Sequence, residues 1–203
     1  MHFYSGQLLQ NRSGVDSAIF KVLKGEVDDF AWTMKLLAYH GMRGGEACQL
    51  CVDDVTTLYG VPVLRVHDRN GRVKNAASVR DIPIHPMCKG IITYARKVEK
   101  AHGPDAWLFQ SWDAQKQGRA HKFQNYGNRE FLRQKVGIKD RCYTLHSFRH
   151  RFRTLCREAE MPEAISRAIM GHTLGAGEHG SYGAAPSLKK RAEWIARIDP
   201  LRG

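Results

Sequence analysis

The stretch TLHSFRHRFRTLCRE, Thr144 to Glu158, sets two histidines and four arginines within one segment of helical character. If residues 146–159 form a helix, Phe148, Phe152, Leu155 and Ala159 fall at i, i+4, i+7 and i+11 and make an apolar face for a core. His146 and Arg149 then share a neighbouring face in the first turn, beside unpaired backbone N–H groups and the positive end of the macrodipole. Cationic or donor groups are unfavourable there on stability alone. They suit an anion, and phosphate suits best, because a guanidinium offers a planar donor fork matched to its oxygens. On this segment alone a solvated basic face explains the charge equally well.

Other groups elsewhere in the chain bear on that choice. HGMRGGEACQL places Arg43 three residues before Glu46; VKNAASVRDIPI sets Lys74 upstream of a basic strand that ends in proline. IMGHTLG puts His172 after Gly171, and SYG supplies Tyr182, with no other tyrosine after His172. Taken singly, Lys74 reads as a solvated strand lysine, Arg43 as a surface partner of Glu46, His172 as a satisfied core histidine and Tyr182 as a packing residue. His146 and His150 are four apart, as in a helical metal pair, but no glutamate follows His146, so the protease motif is not met.

Composition narrows the partner. The 32 Lys+Arg against 20 Asp+Glu give a net charge of +12, which favours nucleic acid or an anionic membrane. No apolar run approaches the roughly 18–20 residues needed to span a bilayer, and MHFYSGQLLQNRSG lacks the pattern of a signal peptide. Five scattered cysteines argue against a disulfide framework on count alone and fit a reducing compartment. Cys48 and Cys51 form a CxxC, but no second ligand pair lies near it, so packing explains it better than zinc. The turn DRNGRVK has one glycine and is no phosphate loop.

The elements that must position these groups follow from periodicity and punctuation. DFAWTMKLLAYH, from Asp29 to His40, predicts a helix that stops at Gly41, and GGEACQLCVDDV predicts a short second one. VPVLRVHD and VRDIPI have strand composition with Asn70-Gly71 between them, a hairpin signal. Residues 87–101 resume helical spacing, and further helices are expected over 125–136, 146–159, 162–170 and 187–198, with Pro162 in one first turn and Ser187 as a cap. The expected fold class is α+β: mainly α with a small antiparallel sheet near the N-terminal part. No repeat or linker divides the 203 residues, so one domain is expected: a lead-in over 1–28, a core over 29–182 and a C-terminal helix over 187–198.

This ordered set resembles the catalytic domain of the tyrosine recombinases, the phage-integrase family: an arginine followed by an acid, a lysine on a β-hairpin, H-x-x-R on a helix, a Gly-His pair and a tyrosine. The resemblance runs from about Asp29 to the C-terminus. It implies a DNA breaking-rejoining fold in which Arg43 and Arg149 grip the non-bridging oxygens of the scissile phosphate, and His146 and His172 hydrogen-bond it or move protons. It further implies that Lys74 protonates the leaving 5′-oxygen, Tyr182 is the nucleophile and Glu46 orients the site. The segment from His172 to Tyr182, TLGAGEHGS, is about a residue longer than the family pattern.

The expected function is site-specific recombination for integration or excision of a phage or mobile element, through a 3′-phosphotyrosine, with no metal, nucleotide or other cofactor. The expected partners are double-stranded DNA, at attachment or core-type sites, and further copies in a synaptic tetramer, in the cytoplasm or nucleoid, with no membrane. Arg65, Arg69, Arg72, Lys116, Arg119, Lys122, Arg151 and Arg153 are candidate DNA contacts, with Lys116, Arg119 and Lys122 read as a polar loop. The C-terminal helix reads as docked on its own core, or, by the resemblance, on a neighbouring protomer. Family members usually carry a separate N-terminal DNA-clamping domain, which the short lead-in implies is missing here. Two alternatives stay open: a type IB topoisomerase-like strand swiveller and an inactive DNA-binding module of the same fold.

Overall fold

The helix α2, Asp29–His40, is buried on every side and forms the axis of the molecule. Because no face meets solvent, its polar residues must find partners inside. Asp29 accepts from Tyr94 Oη and from the Ser111 N–H, Thr33 Oγ1 accepts from Trp112 Nε1 at 2.9 Å, and Lys35 Nζ donates to the Gly25 carbonyl at 2.9 Å. Asp28 caps the helix by accepting from the Ala31 N–H at 2.8 Å. Gly41 ends it in a left-handed conformation, φ +62°, as the sequence predicts.

This computed structural model describes residues 15–25, 28–69, 78–112, 118–172 and 186–201. Around α2 the chain lays α1 (Val15–Lys24), α3 (Gly44–Cys48), a 3₁₀ turn at Val52–Asp54, and strands β1 (Val55–Leu58), β2 (Val61–Val66) and β3 (Arg80–Pro83). There follow α4 (Gly90–His102), α5 (Arg119–Asn125), a π-helical stretch (Tyr126–Lys135), α6 (His146–Glu158), α7 (Glu163–Met170) and α8 (Leu188–Ile195). The strands form one antiparallel sheet in the order β1-β2-β3, with Thr56 opposite Val63 and Leu64 opposite Ile82. The class is the expected one: mainly helical with a small antiparallel sheet.

Three elements differ from expectation: the helix predicted over GGEACQLCVDDV ends at Cys48, and its last residues form the 3₁₀ turn and the start of β1. The lead-in over 1–28 contains α1, whose Ile19 and Leu23, four apart, are buried. The sheet has a third strand, β1, turned into β2 by Tyr59 and Gly60 at φ +50° and +77°, the left-handed pair of a tight hairpin. The Asn70-Gly71 turn lies outside the described residues. In the π-helical stretch the Val136 N–H donates to the Phe131 carbonyl, five residues back. That wider turn puts residues five apart on one face, and Tyr126 and Phe131 both pack their rings on Phe30, at 4.9 and 5.0 Å.

The face forecast for α6 is in the core: Phe148, Phe152 and Leu155 are buried, with Ala159 packed beside them. Ser187 Oγ accepts from the Lys190 N–H at 3.2 Å and caps α8. That helix folds onto its own chain, with Ile195 buried and Arg191 Nη1 donating to the Asp81 carbonyl of β3 at 2.7 Å. Gly41 faces the Phe152 ring so closely that an added Cβ would overlap it. Gly41→Ala therefore combines a left-handed backbone with overpacking and is expected to cost about 2–4 kcal/mol in urea unfolding.

Two buried imidazoles tie α2 to the chain after β3. His40 Nε2 accepts from the His85 N–H at 2.9 Å, and His85 Nδ1 accepts from the Met87 N–H at 3.0 Å. Burial, and for His40 the neighbouring His85, hold their pKa values down to about 3 and about 4. The unfolded chain, with histidines near 6.5, binds these protons first. Stability from this pair is thus complete above about pH 6.5 and is lost as the pH falls toward 4, by up to about 1.4 kcal/mol per pH unit per histidine. The urea midpoint at pH 5 is expected to lie below that at pH 7.5.

Candidate active site

Arg43 is the residue immediately before α3, in extended conformation, two residues beyond the Gly41 turn. Glu46, one turn on, reaches back to it: Oε2 accepts from the Arg43 N–H at 2.9 Å and Oε1 from Nη1 at 2.5 Å. This reciprocal contact fixes where the Arg43 side chain leaves the backbone. A second arginine holds the same carboxylate from the other side. Arg80, at the start of β3, gives Nη2 to Oε2 at 2.9 Å and Nη1 to Oε1 at 3.3 Å. Its side chain and that of Glu46 are each 5% exposed. Burial alone would push the Glu46 carboxyl up; Arg80 and Arg43 outweigh it and hold the group below the usual carboxylate range.

Arg149, on the first turns of α6, is 4% exposed. It donates Nη1 to the Gly41 carbonyl and Nη2 to the Met170 carbonyl at 2.7 Å and to His172 Nε2 at 2.8 Å. Three arginines thus meet the C-terminal end of α7: Arg80 Nε donates to the Ile169 carbonyl at 2.7 Å, Arg149 to Met170, and Arg43 Nη2 to Gly171 at 3.4 Å. The last carbonyls of a helix have no partners within it and mark the negative end of its dipole, so guanidinium groups gather there. Gly171, left-handed at φ +65°, ends α7 and turns His172 toward the same place.

The result is a hollow of about 590 Å³ whose lining includes Arg43, His146, Arg149, Arg153 and His172. Charge crowding is felt within it. Burial, then the Arg43 charge, bring Arg149 down to about 9, so it stays cationic at neutral pH. Burial, then Arg149, hold His172 down to about 4, and the imidazole is neutral with Nε2 accepting. Among the lining groups one carboxylate, Glu163, stands against five arginines, so the hollow suits a tetrahedral oxyanion.

Five of the residues singled out by sequence therefore meet in one place: Arg43 and Glu46, which fixes it, with His146, Arg149 and His172. Lys74, Tyr182, Arg72 and Lys116 lie outside the described residues. Arg153 is exposed and lines the hollow. Arg65 and Arg69 face acids, Asp81 at 3.3 Å and Asp53 at 3.5 Å. Lys122 is exposed, on α5 and not in a loop.

Two of the expected DNA contacts are buried. Arg119 also lies on α5, where it is 7% exposed, donates to the Cys48 and Phe109 carbonyls and stacks on Trp107. Arg151 is 8% exposed and faces Glu158 at 3.3 Å. Both guanidinium groups serve the fold. Arg80 is the residue that sequence reasoning missed; the Arg80-Asp81 charge pair opening the strand VRDIPI was the available signal. Cys48 and Cys51 are both buried and in no disulfide, and burial pushes the Cys48 thiol up.

The domain is mainly helical, with a three-stranded sheet and an arginine-histidine hollow. It is similar in fold to an integrase from mycobacterium phage Brujita, with 18% identity, a TM-score of 0.57 and coverage of 95% of this chain and 59% of that one. It is likewise similar to the XerH site-specific recombinase bound to its difH substrate, at 18% identity and a TM-score of 0.55, over 82% of this chain and 47% of that one. No curated protein sequence matches it. Residues 18–176 match the model of the phage integrase family, and the chain belongs to that family.

Proposed function

We propose that this chain is the catalytic domain of a site-specific DNA recombinase that cuts and rejoins strands through a 3′-phosphotyrosine. The observation that carries the reading is the convergence of Arg43 and Arg149, 106 positions apart in sequence, on one hollow with His146 and His172. A phosphodiester repels an incoming oxyanion, and charge grows on its equatorial oxygens during attack. Arginines already fixed by carbonyls and by Glu46 supply positive charge there without reorganising.

In the proposed step Tyr182 Oη attacks phosphorus, the bond from phosphorus to the 5′-oxygen breaks, and that oxygen takes a proton from Lys74. The phenolic proton passes to an imidazole on the wall of the hollow, His146 or His172. The phosphotyrosine keeps the energy of the broken linkage, and a 5′-hydroxyl from another strand reverses the step. Exposed arginines such as Arg153 hold the flanking backbone. Double-stranded DNA at defined sites, assembly into a synaptic tetramer and a place on the nucleoid belong to the same proposal.

A duplex nicked beside the target bond, which loses its short fragment after cleavage, traps the intermediate. Wild-type chain is expected to give a covalent adduct on a defined site, and Tyr182→Phe to give none while still binding DNA. An adduct on any sequence together with relaxation of supercoiled plasmid would move the reading to a topoisomerase; no adduct on any duplex would leave a binding module.

A further inference from the structure

A second basic cleft lies between the π-helical stretch and the segment that leads into α6. Its volume is about 650 Å³, and Arg129, Arg133, Lys139 and Arg141 line it with Asn128 and Thr144. No carboxylate is among its lining groups, unlike the hollow. Four like charges drawn together without an acid disfavour the bare fold, and they favour a polyanion.

Two details point to an anion. Arg133 gives Nη2 to the Tyr143 carbonyl at 2.7 Å, while its Nη1 is buried with no hydrogen-bond partner among the described residues. A buried guanidinium donor left unsatisfied is costly, and as a lining residue Arg133 adds its charge to the cleft's attraction for an oxyanion. The cleft is also tied to the reacting end of α6. Asn128 Oδ1 accepts from the Leu145 N–H at 2.8 Å, and Thr144, on the cleft wall, is two residues before His146, on the hollow wall.

We propose that this cleft binds a backbone phosphate of the same duplex, flanking the phosphate held in the hollow, and so sets the strand's path across α6. The proposal rests on the DNA reading above. Phosphate binding of this type gives affinity and salt dependence without sequence choice.

The test is fluorescence anisotropy with a non-specific duplex across a KCl series. It compares wild type with the triple variant Arg129→Gln, Lys139→Gln, Arg141→Gln, whose three positions are exposed. Arg133 is left in place because it holds the Tyr143 carbonyl. A charge-matched control, Arg96→Gln, Lys97→Gln, Lys100→Gln, removes three exposed cations from α4, which lines neither cavity. The slope of log Kobs against log[KCl] is expected to become shallower by about 2–3 in the cleft variant, at ~0.9 for each phosphate no longer neutralised, and by less than about one in the control. An unchanged slope in the cleft variant, or equal changes in both, overturns the cleft while leaving the DNA reading intact. Wild-type binding without any salt dependence overturns both.

Discussion

Arg149→Lys is expected to slow adduct formation by about 10²–10³-fold in single turnover at saturating DNA, the cost of removing one well-placed oxyanion donor. Lysine keeps the charge but carries it as a point at the end of a flexible stem. It cannot serve the Gly41 carbonyl, the Met170 carbonyl and His172 Nε2 together, as the guanidinium does. The altered geometry would show in stability too, by about 1.5–3 kcal/mol for a buried charged hydrogen bond. A rate within about tenfold of wild type would remove Arg149 from the phosphate-binding role. A second readout separates that role from scaffolding. Arg149→Met removes the charge that, after burial, holds His172 down, so the His172 pKa should rise from about 4 toward its ordinary value, as seen by NMR titration.

Glu46→Gln should have the largest effect on the fold. The carboxylate is shared by Arg80 and Arg43 in a setting where it and Arg80 are 5% exposed. Glutamine offers one acceptor, and its amide group turns two donors toward guanidinium groups that are donors themselves. Breaking a buried ion pair from one side costs about 3–5 kcal/mol, because the remaining charge stays buried and uncompensated. At about 2–4 °C per kcal/mol for a chain of this length, Tm should fall by ~6–20 °C. The double variant Glu46→Leu, Arg80→Met should lose less than the sum of its two single variants, since it leaves no lone charge behind on that side. Additive losses would show that the two groups do not depend on each other.

The local elements were largely legible. The core-facing stripe of α6 follows from a period of 3.6, and α2 stops at Gly41, whose freedom at positive φ permits a left-handed end. Strand β1 escaped because it is four residues long with few apolar positions, so its pairing comes from β2 and not from a pattern of its own; α1 does carry helical spacing, Ile19 and Leu23, that was passed over. The charged residues were harder. Arg119, Arg151 and Arg153 look alike in sequence, yet two are spent inside the fold and one lines the hollow.

What the sequence by itself determined is the chemical inventory and its order: Arg43 with Glu46, His146 with Arg149 on one helical face, and His172 behind a glycine. What only the tertiary structure decided is where those guanidinium groups meet and what holds them. They converge on the carbonyls of Ile169, Met170 and Gly171, and on a carboxylate that Arg80 grips from the far side. Backbone carbonyls are the same in every residue, so no side-chain pattern announces them as partners. They become a cation-gathering site only when α7 ends beside α6 and β3.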